Sequence, residues 1–503
     1  MIAEKKLVVV GLGPGDPGML TIAGKKALEE ADEVWVRTRK HPTLDHINFG
    51  DKLKSFDEIY DTFDSLDEVY RAIAERLRDR ILAADISYLA YAVPGSPSAG
   101  ERSVKLLRES LRDAPVNLKI LPSVSALEAI MIELGLDPID DGLQLVDASE
   151  LEWLYELYPS AKSQYLNPTI PLLVTGVWNQ SLASVTKLFL LSVYPPEWPI
   201  KVVRASVDSS HHELQLVDLD KYAKVDHLAS VYVPPLAPDS PGSHFYQLTY
   251  ITARLRGPGG CPWDREQNHY SIKRYLLEEA YEVIDALDKQ DIDALEEELG
   301  DLLLQISLHS EIAYSESEFE IGDVIRFLTS KLIRRHPHVF GDIQVENASH
   351  VTRNWQMIKK SERSQKGEEE VSVLDGVPRA LPALARAQSI SVRAAKTGFE
   401  WDDARQLWEK VLEELEEVKD SAADELPMEL GDLLFVLVNW ARFHGIDAEE
   451  SLRIATDKFE QRFREMERRA RSQGKELEQL SIDEMDALWE EIKEQEKNVK
   501  LEA

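Results

Sequence analysis

Leu276-Leu277-Glu278-Glu279-Ala280-Tyr281-Glu282-Val283, a polar break at Asp288-Lys289-Gln290-Asp291, and Leu295-Glu296-Glu297-Glu298-Leu299-Gly300-Asp301-Leu302 read as two helices joined by a short turn. Glu279 and Glu282 are three residues apart and share a helical face, as do Glu298 and Asp301. Beside each acidic row runs an apolar one of helical period: Leu276, Ala280, Val283 and Leu287, then Leu295, Leu299, Leu302 and Ile306. Packing row on row gathers four carboxylates, which repel one another unless a cation lies among them. Oxygen donors without His or Cys suit Mg²⁺, with Mn²⁺ as the alternative. For one such stretch in an acidic chain, a solvated helix face is the simpler reading.

The pattern occurs twice. Glu413-Glu414-Leu415-Glu416-Glu417 precedes Met428-Glu429-Leu430-Gly431-Asp432-Leu433-Leu434. After each hairpin comes a Lys-x-x-x-Arg, Lys331 to Arg335 and Lys458 to Arg462, and each repeat ends in a Trp helix, around Trp355 and Trp489. This shared order argues against chance. Lys410 lies one turn before Glu414 on the same face, within reach of a phosphate bridged there, whereas the first repeat has Tyr275 at that position.

Cys261-Pro262-Trp263-Asp264, LLEEAYEV, EELGDLLLQ, RRHPHVFGD and the later LEELEEV, MELGDLLF and DKFEQRFREME resemble the MazG family from about Tyr246 to the C-terminus. The resemblance implies all-α domains that cleave a nucleoside triphosphate to the monophosphate and pyrophosphate with Mg²⁺. It implies Glu279, Glu282, Glu298 and Asp301 as metal ligands of the first repeat, and Glu414, Glu417, Glu429 and Asp432 of the second. Lys458 and Arg462, with Lys331 and Arg335 as counterparts, are expected to hold phosphates, and Trp489 and Trp355 to stack on base or ribose. Glu425 stands where the family tends to carry Lys. The Lys410/Tyr275 difference predicts that the second repeat carries most turnover. The family also dimerises, so a homodimer is expected.

The chain has 503 residues, enough for more than one domain, and 43% hydrophobic content, enough for ordinary cores. A formal charge of −33 argues against nucleic-acid backbones and anionic membranes as partners. It permits nucleotides, because a bound cation inverts the local field. The single cysteine, Cys261, excludes an intrachain disulfide and a Cys-rich zinc site. The N-terminus reads as a strand rather than a signal peptide, and no apolar run reaches the ~20 residues of a membrane span. A cytoplasmic protein is expected. His336-Pro337-His338 reads as a helix end rather than a metal site, and Cys261-Pro262-Trp263-Asp264 as a loop-shaping motif.

At the N-terminus, Leu7 to Val10 is a buried-strand pattern running into Gly11-Leu12-Gly13-Pro14-Gly15-Asp16-Pro17-Gly18, followed by a helical segment and a second strand. This order begins an α/β domain. Four more strands end in loops at Pro94-Gly95-Ser96-Pro97, Pro122-Ser123-Val124-Ser125-Ala126, Thr175-Gly176 and Arg204-Ala205. With the first glycine loop they make five loops expected to line one cleft at the strands' C-terminal ends. GLGPGDPGMLT and PSVSALEAI resemble the tetrapyrrole methylases over about the first 230 residues. The resemblance implies an S-adenosylmethionine (SAM) site at Gly11, Gly13, Gly15, Asp16, Gly95, Ser96, Ser125 and Ala126. The family usually carries a Gly-Asp-Pro turn where this chain has Gly95-Ser96-Pro97. Binding through backbone groups survives that change, while methyl transfer is left open. A methyltransferase regulated by its helical half, or a non-catalytic nucleotide sensor, are the other readings. The expected organisation is an α/β domain at 1–232, a Pro/Gly/Ser linker at 233–245, MazG repeats at 246–365 and 385–503, and a second linker at 366–384.

Overall fold

The computed structural model describes residues 5–63, 65–157, 162–205, 210–226, 228–365 and 372–502. Its contacts gather into two compact units, Met1–Lys331 and Leu332–Ala503. Residues 366–371, part of the expected second linker, lie outside the described residues.

The first unit opens with a parallel sheet of five strands, β1 (Lys5–Gly11), β2 (Glu33–Val36), β3 (Leu53–Ser55), β4 (Tyr88–Val93) and β5 (Val116–Ile120), in the order β3-β2-β4-β1-β5. Helices α1 (Ile22–Glu30), α2 (Leu66–Leu82) and α3 (Arg102–Ser110) cover it. Leu7 and Val9 pack with Ile73, Leu77 and Leu107, while Val8 and Val10 pack with Ala27 and Leu28. Both faces are therefore buried, which explains the unbroken apolar run that replaces polar alternation. β1 and β4 are neighbours, yet the chain leaves β1 for β2 on one side and leaves β4 for β5 on the other. This is the switch point at which open α/β sheets leave a crevice.

A second sheet follows: α4 (Ala126–Leu134), β6 (Gln144–Asp147), α5 (Ala148–Leu157), β7 (Leu172–Thr175), α6 (Gln180–Leu190), β8 (Pro199–Arg204), β9 (Ser210–Gln215) and β10 (Ala229–Val233), with strand order β6-β7-β10-β8-β9. Among the described residues of this sheet, only β6 and β7 pair in parallel; β10 inserts antiparallel between β7 and β8. The five loops expected on one sheet are thus divided, three on the first and two on the second. A local apolar run marks a strand without marking its sheet.

The helical part of the first unit contains α7 (Phe245–Arg256), α8 (Pro262–Glu266), α9 (Lys273–Lys289), α10 (Ile292–Ser315) and α11 (Ile321–Arg335), whose last turn belongs to the second unit. The second unit continues with α12 (Pro337–Phe340), α13 (Ala348–Gln365), α14 (Ala383–Ala395), α15 (Ala404–Asp420), α16 (Leu426–Phe443), α17 (Ala448–Ser472) and α18 (Ile482–Glu502). An α/β half followed by an all-α half is the expected class. Among the described residues, no helix is long and apolar enough to cross a membrane.

The turn between α9 and α10 falls at the expected break. Gln290 adopts a left-handed conformation (φ 54°) and Asp291 caps α10 by accepting from the Ala294 N–H at 3.1 Å. The apolar rows behave differently from expectation. Leu287, Leu299 and Ile306 are exposed, and the buried contacts are made by Ile272, Leu308 and Ile312 with Tyr275 and Leu304. The packed region thus lies towards the open end of the hairpin, where α7 also meets α10 through a Thr252–Ser307 hydroxyl contact of 2.8 Å.

Gly11 sits where the glycine loop crosses two others. A Cβ there would lie 2.3 Å from the Gly95 carbonyl oxygen and 2.6 Å from Ser123 Cβ. Gly11→Ala is therefore expected to destabilise the first sheet by about 1–3 kcal/mol through overpacking. Its calorimetric transition should fall by several degrees, and an unchanged transition would show that the loops part freely.

Candidate active site

Two acidic clusters form, one on each hairpin. In the first, carboxylate oxygens of Glu279 and Glu282 on α9 and Glu298 on α10 lie within 4.8 Å of one another. Partial burial pushes the Glu279 carboxyl up, and the charges of Asp301, Glu282 and Glu298 add to it. Glu298 is raised in the same way, by burial and then by Glu282. Asp301 stays outside the three-residue group, though its charge reaches both. Gln305 Nε2 donates to Glu279 Oε1 at 3.4 Å. Gln305 is one turn beyond Asp301, a spacing that places it on the acidic face and that the sequence reading passed over.

The second cluster repeats the first: Glu414 and Glu417 on α15, Glu429 on α16, again within 4.8 Å, with Asp432 outside the group. Glu414 is buried. Lys410 Nζ bonds Glu413 at 2.7 Å and Glu414 at 2.8 Å, and these two partners hold its proton above the usual lysine range. Burial, then Glu414, raises Glu417. At the corresponding place in the first repeat, Tyr275 packs against Trp263, with ring centroids 6.1 Å apart, and joins the Ile272–Leu308 core. Carboxylates that share a small volume and are driven towards protonation are the donor set that a hard divalent cation relieves.

The basic residues are placed less simply. Arg462 pairs with Glu496 of α18 at 2.7 Å and lies 5.8 Å from the Trp489 ring, which also packs on Phe459. Lys458, one turn earlier on α17, is exposed. Arg335 pairs with Glu362 of α13 at 2.7 Å and, with Arg334, pulls that carboxyl down to about 2. Trp355 meets His336 edge-on at 5.7 Å, and Lys331 lies 5.7 Å from the Phe327 ring. In both repeats the arginine's acid is the seventh residue after the tryptophan, a signal present in the sequence but not used. His336 follows α11, its Nδ1 2.7 Å from the Leu332 carbonyl oxygen, and takes the N-cap position of α12 without a side-chain capping bond.

On the first sheet, the loops at 11–18, 94–97 and 122–126 converge. Gly13 and Gly95 exchange backbone hydrogen bonds of 3.1 and 3.0 Å, and the Gly11 N–H donates to Ser123 Oγ at 3.0 Å. Thr43 Oγ1 donates to the Leu12 carbonyl, and His41 Nε2 lies 3.1 Å from the Gly13 carbonyl. Two expected ligand residues are occupied locally: Asp16 accepts from the Gly18 N–H, and Ser125 forms a capping box with Glu128. Ser96 Oγ lies 3.0 Å from Ser98 Oγ. Gly15 has φ 119°, and Gly95 has φ 63° with only the Ala126 nitrogen near the place of a side chain, at 3.9 Å. A buried network at the ends of β2 and β4, Arg37–Glu101 at 2.8 Å with Ser103 and Tyr91 behind it, had no local sequence signal because its members are far apart in the chain.

The MazG nucleotide pyrophosphohydrolase domain matches residues 267–340 and 404–466, and the tetrapyrrole (corrin/porphyrin) methylases match residues 6–206. The chain belongs to the MazG nucleotide pyrophosphohydrolase family of enzymes, with two MazG regions behind a tetrapyrrole methylase domain. It is 40% identical over 502 residues to the uncharacterized protein YabN of Bacillus subtilis (strain 168), covering 98% of this chain and 99% of that one. Over 257 residues, 50% of this chain and 97% of the relative, it is 45% identical to a nucleoside triphosphate pyrophosphohydrolase of Escherichia coli (strain K12). A solved uroporphyrin-III-C-methyltransferase from Thermus thermophilus aligns at 21% identity and TM-score 0.34, covering 46% of this chain and 93% of that one.

The raised carboxyls make a prediction. Glu279, Glu298 and Glu417 hold protons in the folded chain at a pH where the unfolded chain has released them. Their contribution to stability is therefore present below the ordinary carboxylate value and lost as pH rises through the raised one. Without divalent cations, the melting temperature should climb as pH falls from neutrality towards the ordinary carboxylate range. Mg²⁺ should raise it at the upper end and lose effect at the lower. The triple variant Glu279→Gln, Glu298→Gln, Glu417→Gln should flatten both trends in calorimetry; equal slopes in variant and wild type would contradict the cluster reading.

Proposed function

We propose that this protein hydrolyses nucleoside triphosphates to monophosphate and pyrophosphate, with water attacking the α-phosphorus, at the acidic clusters of its two hairpins. The observation that carries the reading is the recurrence of the same three-carboxylate group on both. Glu414, Glu417 and Glu429, with Asp432 one turn away, would hold Mg²⁺ in the second repeat, and Glu279, Glu282, Glu298 and Asp301 would do so in the first. The ion, when bound, neutralises phosphate charge and lowers the pKa of a coordinated water. Lys410, held at the cluster by Glu413 and Glu414, offers a fixed positive charge to the triphosphate. Arg462, oriented by Glu496, and the exposed Lys458 meet its terminal phosphates, and Trp489 offers a stacking surface.

The second repeat carries most of the turnover in this proposal, because Tyr275 offers no charge in the first. Loss of one charge-stabilising group typically costs about 10²–10³ in rate. Incubation of the full chain with Mg²⁺ and an NTP should release NMP and pyrophosphate in equal amounts; NDP with orthophosphate would refute α-phosphorus attack. Glu417→Gln with Asp432→Asn should abolish most release, and Glu282→Gln with Asp301→Asn should spare most of it. The reverse pattern would exchange the roles of the repeats, and equal halves would remove the argument from Tyr275.

For the N-terminal domain we propose SAM binding through backbone groups of the three converging loops. The open side of Gly95 at the switch point supports it, since the backbone there can approach a ligand closely. Calorimetric titration with S-adenosylhomocysteine should give one site per chain; a flat titration would leave the domain as a scaffold.

We propose, too, that the chain forms a homodimer. The exposed Leu299, Leu303 and Ile306 of α10, and Leu430, Leu434 and Phe435 of α16, form apolar rows that a second copy can cover. Light scattering at dilute concentration should report about twice the 57.1 kDa chain mass, and the single-chain mass would overturn this.

A further inference from the structure

The hairpin of the first repeat holds a second group of ligating side chains, at the end opposite its turn. His269, in the turn before α9, faces Glu316 and Glu318, which follow α10, and one ligand atom from each lies within 4.8 Å of the others. Glu279 lies six residues into α9, about 9 Å from its start, and His269 precedes that start, so this group is separate from the carboxylate cluster.

Two features of the group fit a metal. His269 Nδ1 and His309 Nδ1 are 2.8 Å apart, with the rings almost parallel and edge to edge (5° interplanar, centroids 5.1 Å). One nitrogen donates and the other accepts. When His269 donates, its lone pair is on Nε2, and His309 fixes that tautomer as the outer partner of a metal-bound histidine does. Nε2 is the atom that faces the carboxylates: it lies 3.9 Å from Glu316 Oε2. That gap is too long for a hydrogen bond. It is within the roughly 4.0–4.3 Å that one Zn–N and one Zn–O bond span end to end, and a rotamer change of the exposed Glu316 closes the roughly half an ångström to a tetrahedral separation.

We propose that His269, Glu316 and Glu318 bind a first-row divalent ion of the Zn²⁺ class, with His309 as the residue that orients His269. An imidazole beside carboxylates favours such an ion over Mg²⁺, which takes oxygen ligands. The ion ties the start of α9 to the end of α10. It closes the open end of the hairpin that carries Glu279, Glu282 and Glu298. The site is confined to the first repeat. Counting from the shared motifs, Ala404 and Trp440 stand where the first repeat has His269 and His309.

The test uses the full chain, stripped with chelator, loaded with Zn²⁺ and dialysed against excess Mg²⁺, which saturates the all-oxygen clusters. Wild type should retain one Zn²⁺ per chain by elemental analysis. His269→Gln and Glu316→Gln with Glu318→Gln, at exposed or half-exposed side chains, should retain none while keeping the wild-type circular dichroism. Glu279→Gln with Glu282→Gln should retain it. His309→Asn should weaken binding about 10–100-fold. Co²⁺ in place of Zn²⁺ should give visible absorption that is lost in His269→Gln. Retention equal in wild type and His269→Gln, or no retention by wild type, overturns the proposal.

Discussion

Carboxylate repulsion on a two-helix frame is the constraint on which the helical half depends. Three acids are held within a few ångströms because their helices pack elsewhere, through Ile272, Leu308 and Ile312 in one repeat and Leu407, Val411 and Val436 in the other. The apolar contacts hold the acids together against the repulsion, and Glu279, Glu298 and Glu417 are driven towards protonation as a result. A face built only for solubility would spread its charges. These hairpins concentrate them, and the strain so stored is available to whatever cation enters.

The repeats solve the problem of neighbouring charge differently. In the second, Lys410 bonds Glu414 directly and offsets part of the cluster's charge. In the first, the equivalent position is an aromatic that belongs to the core, and Gln305 is the polar neighbour. The same backbone thus presents one cluster with a built-in cation and one without. Divergence between the repeats lies in the residues around the carboxylates, since the carboxylates themselves match. The arginine–glutamate pairs at the Trp helices, Arg335–Glu362 and Arg462–Glu496, are retained in both.

In the N-terminal domain backbone geometry does what charge does in the helical half. Gly11 allows the Gly95 carbonyl and Ser123 to touch the β1 exit, and the Gly13–Gly95 bonds lock two loops that leave neighbouring strands in opposite directions. Asp16 and Ser125, which sequence alone offers as ligand contacts, are consumed as caps. The Gly95-Ser96-Pro97 turn carries no acidic side chain, and Gly95 keeps an open side there.

The sequence by itself determined the class of the two halves, the helical hairpins with their turns, the duplicated acidic rows and the families these belong to. Period and spacing along one helix are local properties, and a doubled pattern carries its own control. Tertiary structure alone decided that three of the four acids in each repeat cluster while Asp301 and Asp432 stand aside, because that depends on how one helix is rotated against the next. It divided the strand-end loops between two sheets, through the insertion of β10. It also joined His269 to His309, forty residues apart on different elements, and Arg37 to Glu101. Such pairs have no spacing rule, since only packing brings distant segments together.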